Sequence, residues 1–206
     1  MTPTFVPTNL RGREREIRDR LYRELRWYAC YTNSRREKKV EALLRDRGFE
    51  SYLPLVPRTR QWKDRRKVVP WPMFPSYVFA RFTLRDYHAI LTTPGIATIV
   101  RTNGLPVPIP DTELDNVRQF AAALAKSDVE AVFRPLVRTG QLVRVTGGPF
   151  KDIRGIVVQV RGRKRVLVGL QAVGQALQVD IDTRYLQPLE ENERPVSART
   201  LVPGMR

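Results

Sequence analysis

Histidine and cysteine are almost missing from this chain: His88 and Cys30 are the only ones among 206 residues. A zinc site of the usual type draws several ligands from those two residue types, so none is expected. A single cysteine leaves no internal disulfide and fits a reducing compartment, so the expected address is cytoplasmic. Residues 1–10 lack the basic and apolar regions of a secretory signal. No apolar run approaches the roughly 20 residues a membrane helix needs, and no basic amphipathic helix carries a strongly apolar face. No membrane partner is therefore expected. There is no GxxxxGK[ST] phosphate loop, no GxSxG elbow and no recognisable catalytic pair of carboxylates. The chain is not expected to be an enzyme or to hold a cofactor or metal, and His88 and Cys30 are assigned no chemistry. Acidic residues are also scarce: 21 stand against 37 Lys and Arg, a net charge of +16. Such an excess favours a polyanionic partner, because neutralising phosphates releases counterions.

The hydrophobic fraction of 42% supports a packed core. Seven Arg and four acids share residues 11–26, which read as a solvated basic tail, with Ile17, Leu21 and Leu25 offering a short amphipathic helix as the alternative. The first domain is expected over 27–125. Trp27 to Thr32 is aromatic and β-prone, with Trp27 in the core and Cys30 a small buried hydrophobe. Ser34-Arg35-Arg36-Glu37 has the capping-box form, and Val40, Leu43 and Leu44 follow at helical spacing up to Gly48. Ser51 to Val56 and Lys67 to Trp71 flank a charged tip, as in a long β-hairpin. Ser76 to Phe82 predicts a strand with Val78 inward, and Leu84 to Leu91 a short helix. Ala97 to Arg101 predicts another strand turning at Asn103-Gly104, and Asp111 caps a helix carrying Leu114, Val117, Ala121 and Leu124. The order β-α-β-β-α-β-α describes an α/β sandwich with an antiparallel sheet. A linker is expected over 126–137. Over 138–190, short Val-rich strands divided by glycines predict a small barrel, and 191–206 form a C-terminal tail. The class is thus α+β.

Val143-Arg144-Val145-Thr146-Gly147-Gly148-Pro149-Phe150, then Gly155-Ile156-Val157, resembles a KOW motif, with Phe150 able to plug the end of an SH3-like barrel. Trp27-Tyr28 opening one strand, Phe74-Pro75-Ser76-Tyr77-Val78-Phe79 preceding another, and Pro94-Gly95 before Ile96 resemble the N-terminal domain of the NusG family. Together these features span about residues 27–189. The wording Trp-Tyr-Ala-Cys-Tyr and Pro-Met-Phe-Pro-Ser-Tyr-Val-Phe is closer to the specialised RfaH and UpxY paralogues than to housekeeping NusG.

The resemblance implies a monomeric transcription elongation factor that promotes processive elongation and antitermination, as a specialised operon-level paralogue. The alternatives are a housekeeping NusG or a KOW-containing, ribosome-associated RNA-binding protein. Tyr31, Phe74, Pro75 and Tyr77, with Ile96 and Ile99 as neighbours, match the family's patch for the clamp helices of the RNA polymerase β′ subunit. Arg58, Arg60, Trp62, Lys63, Arg65, Arg66 and Lys67 match its region beside upstream or non-template DNA or nascent RNA; cations would hold phosphates and Trp62 would stack on a base. The loop Ala172-Val173-Gly174 matches the place where the barrel offers an apolar residue to a ribosomal protein or to Rho. Valine there implies only weak recruitment of either. The six glycines at 147, 148, 155, 162, 169 and 174 each cost a helix about 1 kcal/mol, so the barrel is expected to stay β and not to refold as the helical hairpin of some RfaH proteins.

Overall fold

A computed structural model describes residues 16, 19–61, 65–102, 104–129, 131–135, 141–160 and 163–189. The first sheet joins β1 (Arg26–Thr32), β2 (Glu50–Tyr52), β5 (Tyr77–Phe82) and β6 (Ile96–Ile99). Its order is β2-β5-β1-β6, antiparallel throughout. Alternation along β1 sends Trp27 and Ala29 to one side and Tyr28 and Cys30 to the other, and all four are buried. A central strand covered on both faces reads as a continuous apolar run, which is why this one carries no polar residue between Trp27 and Tyr31.

Helix α1 (Glu37–Asp46) and the short α2 (Tyr87–Leu91) close the side of Tyr28 through Val40, Leu44 and Ile90. There the Cys30 thiol is pushed up to about 12 by burial alone, so it remains neutral as expected of a small hydrophobe. Helix α3 (Asp111–Ala125) covers the side of Trp27 with Leu114, Val117, Phe120, Ala121 and Leu124. The hairpin β3 (Leu55–Gln61) and β4 (Arg66–Pro72) forms a separate two-stranded sheet, and β7 (Arg101–Thr102) pairs with β8 (Leu105–Pro106). Among the described residues no helix is long and apolar enough to cross a membrane.

The second sheet runs β14-β10-β11-β12-β13-β9, where β9 is Val132–Pro135, β10 Gln141–Val145, β11 Arg154–Val160, β12 Arg163–Leu170, β13 Gln175–Asp180 and β14 Leu186–Pro188. Val143, Val145, Val166, Val168, Leu177 and Val179 fill its interior and Phe150 closes it. It is the small β-barrel the sequence predicts. Gly155 is required there because a Cβ would lie 2.4 Å from Val166 Cγ1 and 2.7 Å from the Leu167 carbonyl oxygen.

Three expectations change. Residues 19–23 are helical and Leu21 packs in the cluster of Tyr28 and Cys30, whereas Leu25, beyond the helix, is exposed and Ile17 lies outside the described residues, so the stretch is neither wholly a solvated tail nor the full apolar stripe. Of the expected linker 126–137, Val132–Pro135 is strand β9, paired with β13 on the barrel edge. The capping box does not form: α1 starts without a side-chain cap, and Glu37 is used elsewhere.

Candidate docking face and basic hairpin

Tyr31 shares the side of β1 occupied by Trp27 and Ala29 but lies two residues beyond Ala29, and 41% of it is exposed. Its Cα partner across the sheet is Tyr77. The two rings meet edge to face at 5.2 Å between centroids, an arrangement aromatic quadrupoles favour. Burial pushes the Tyr77 hydroxyl above its ordinary range, with Tyr31 adding to the effect, so it stays a neutral donor. Pro75 is half-buried nearby in sequence, whereas Ile96, opposite Thr32, packs against the cluster of Tyr28 and Cys30 on the helix side of the sheet. Two other matched residues are not on this surface. Phe74 is 0% exposed and sits edge-on against Phe79 at 5.7 Å. Ile99 is likewise buried, opposite Cys30. Both fill the core, because the turn before β5 folds Phe74 inward and the alternation of β6 turns Ile99 to the helix side.

That turn is unusual in its backbone. Ser76 has φ of 65°, a conformation that a non-glycine residue adopts only when its surroundings hold it. The holding group is Glu37, buried at the start of α1: Ser76 N–H donates to its Oε1 at 2.8 Å. Thr32 N–H donates to the Ser76 carbonyl at 2.8 Å, tying the turn to the end of β1. Asn33 N–H donates to the Gly95 carbonyl at 2.9 Å. Gly95 itself has φ of 100° and room for no Cβ, since one would stand 2.8 Å from Val40 Cγ2. The sequence concealed the role of Glu37, because an acid in a first helical turn is ordinarily explained by capping. Glu37→Gln keeps an acceptor but loses the charge that strengthens this bond. It should lower stability by about 1 kcal/mol in urea titration, and unchanged stability would remove Glu37 as the holding group.

The hairpin β3–β4 sets Arg60 opposite Lys67 and Arg58 opposite Val69. Arg65 and Lys67 are exposed. Arg58 has a different environment: its guanidinium carbon lies 5.0 Å from the Trp71 ring and 5.5 Å from that of Phe133. Trp62 and Lys63 lie outside the described residues, as do the side chains of Arg60 and Arg66.

In the barrel, Gln171–Val173 form a 3-10 turn. Val173 is 7% exposed and packs in the core, whereas Ala172 is half-buried and Gly174, with φ of 64°, is exposed. The loop therefore offers no apolar side chain at Val173; the tight turn tucks it inward.

Comparison with known proteins places this architecture. Residues 25–118 match the family model "NusG: Transcription termination factor nusG". The chain is 28% identical over 179 residues to the transcription termination/antitermination protein NusG of Thermus thermophilus, covering 77% of this chain and 95% of that one. It is 29% identical over 178 residues to the NusG of Vibrio vulnificus, covering 80% and 96%. The solved structure "Domain interaction in Thermotoga maritima NusG" aligns with a TM-score of 0.46 at 22% identity, over 81% of this chain and 98% of that one. The matched segment runs from β1 through the turn held by Glu37 and into α3, so residues 25–118 are similar to the NusG family domain, and the relatives extend the similarity over more than three quarters of the chain.

Proposed function

We propose that the chain is a non-enzymatic transcription termination/antitermination factor that docks on RNA polymerase through the Tyr31–Tyr77 face. The observation that carries this is an edge-to-face aromatic pair, Tyr31 exposed and Tyr77 half-buried, beside the turn held by Glu37 and Ser76 in a NusG-type domain. Tyrosine gives a large contact area for little lost rotamer entropy, which suits it to anchor an interface. The β′ clamp helices are the intended surface, with Pro75 at the rim. The domain then bridges the clamp and favours processive elongation, as a cytoplasmic, operon-level paralogue of the RfaH and UpxY kind. No covalent chemistry is asked of it.

Arg65 and Lys67, with Arg60 and Arg66 in the same hairpin and Trp62 and Lys63 between its strands in sequence, are assigned to upstream or non-template DNA or nascent RNA. Arg58 is withdrawn from that set, since its guanidinium lies over two rings. Neutralising Arg65 and Lys67 should flatten the dependence of bubble binding on salt, reducing the log-log slope by about 1 for each phosphate no longer held. An unchanged slope would return the hairpin to an ordinary solvated loop. With Val173 buried and Gly174 exposed, Rho and ribosomal protein are assigned at most weak binding to the barrel loop.

The proposed activity is tested by passing a lysate over the immobilised chain. Recovery of RNA polymerase supports it; recovery of ribosomes without polymerase would favour a ribosome-associated RNA-binding protein.

A further inference from the structure

We propose that Glu37 is a positioning residue for docking: it touches no partner itself, yet sets the affinity of the Tyr31–Tyr77 face through the turn that leads into Tyr77. The inference rests on the docking reading above. Tyr77 N–H donates to the Phe74 carbonyl at 3.1 Å, closing a four-residue turn with Pro75 second and Ser76 third. Proline second and a positive φ third, here 65° at Ser76, are the form of a type II turn. Its third place favours glycine or asparagine, and serine there would otherwise take the type I form. The two forms differ by a rotation of the middle peptide, and Ser76 N–H belongs to that peptide. Its bond to Glu37 Oε1 at 2.8 Å therefore selects one form. The Ser76 carbonyl is held as well, by Thr32 N–H at 2.8 Å.

Glu37 is suited to this by where it stands. In the run Arg35-Arg36-Glu37-Lys38-Lys39 it is the one acid and the one buried residue. A buried carboxylate needs a donor, and the middle peptide of the turn supplies it. The helix that carries it is seated in the core by Val40 and Leu44, both fully buried, so the acceptor stands on a rigid element. The docking pair, by contrast, sits where regular structure ends. The ladder between β1 and β5 finishes with Tyr31 opposite Tyr77. Pairing of β1 with β6 shifts register between Tyr31 and Thr32. No rung of the first ladder lies beyond the two tyrosines, so the turn sets the aim of their rings. With the middle peptide free to rotate, the chain would enter Tyr77 in two ways, and the edge-to-face contact at 5.2 Å would hold in only one. A partner would then have to select the competent form, at a loss of affinity.

The test compares polymerase binding by the full chain as wild type, Tyr31→Ala, Glu37→Ala, Glu37→Gln, Ser76→Gly and the double variant Glu37→Ala, Ser76→Gly. Titrations are run where urea curves show each protein fully folded. Glu37→Ala should weaken binding about tenfold although the residue lies outside the interface, the cost of lost preorganisation. Glu37→Gln keeps an acceptor and should lie between it and the wild type. Ser76→Gly should bind as the wild type does, since Glu37 still holds the peptide. The double variant should regain stability, because glycine takes a φ of 65° without strain, and yet bind as weakly as Glu37→Ala. In the free chain, nuclear Overhauser contacts between the Tyr31 and Tyr77 rings should weaken in both proteins that lack an acceptor at this position. Normal binding by Glu37→Ala, with Tyr31→Ala impaired, would overturn the positioning role alone. Affinity that returns with stability in the double variant would overturn it too, leaving Glu37 a brace of the fold only. Tyr31→Ala binding as tightly as the wild type would sink the docking reading and this inference with it.

Discussion

Phe74→Ala is expected to unfold the first domain at much lower temperature or denaturant than the wild type, by about 3–5 kcal/mol, the usual loss for a buried phenylalanine. Phe74 is fully buried, and Phe79, against which it stands, is fully buried too. Truncation would leave a cavity at the foot of the turn that carries Pro75, Ser76 and Tyr77. Because Met73 is also fully buried and continues the same core, the turn has no apolar neighbour free to collapse into the space. Urea titration followed by tryptophan fluorescence measures the effect. A variant as stable as the wild type that nevertheless fails to bind polymerase would mean that Phe74 is an exposed anchor after all.

Tyr31→Ala should behave in the opposite way. Its ring is partly in solvent, so stability should be nearly unchanged, whereas polymerase binding should weaken by about 2 kcal/mol, roughly 30-fold. Tyr31→Phe should keep most of the affinity, since the edge-to-face contact with Tyr77 needs only the ring. Titration of labelled polymerase with each variant reads the difference. Equal affinity of Tyr31→Ala and wild type would move the docking face away from β1.

The contrast between these two aromatics shows how far the sequence could be read. The run Trp-Tyr-Ala-Cys-Tyr is legible as a buried strand because both faces of β1 are covered; Tyr31 is matched to the docking patch by resemblance, and its place beside Tyr77 comes from the register of β1 with β5. Phe74 stands outside the regular strand, where alternation gives no information. Its direction is decided by the left-handed turn at Ser76 and by Glu37, 39 residues from that serine in sequence. Glu37 itself was legible as a helix-start acid and illegible as a brace, because its partner is a backbone amide that any residue but proline would supply. The barrel followed from short Val-rich strands and glycines. Its attachment did not: β9 was hidden by Pro135 and by loss of periodicity after Lys126, and the bonds that the Asn116 carboxamide makes to Arg154 use backbone atoms that leave no trace in the sequence. Val173 is buried at the end of the 3-10 segment Gln171–Val173, an irregular stretch where strand alternation gives no direction.

The central claim is that this chain acts on transcribing polymerase through the Tyr31 face. Single-round transcription elongation with purified polymerase tests it most directly, comparing pause lifetimes without factor, with wild type and with Tyr31→Ala. Shorter pauses are expected with the wild type, and little change with Tyr31→Ala at the same concentration. Pause lifetimes that the wild type leaves unaltered, or that both proteins shorten equally, would contradict the claim.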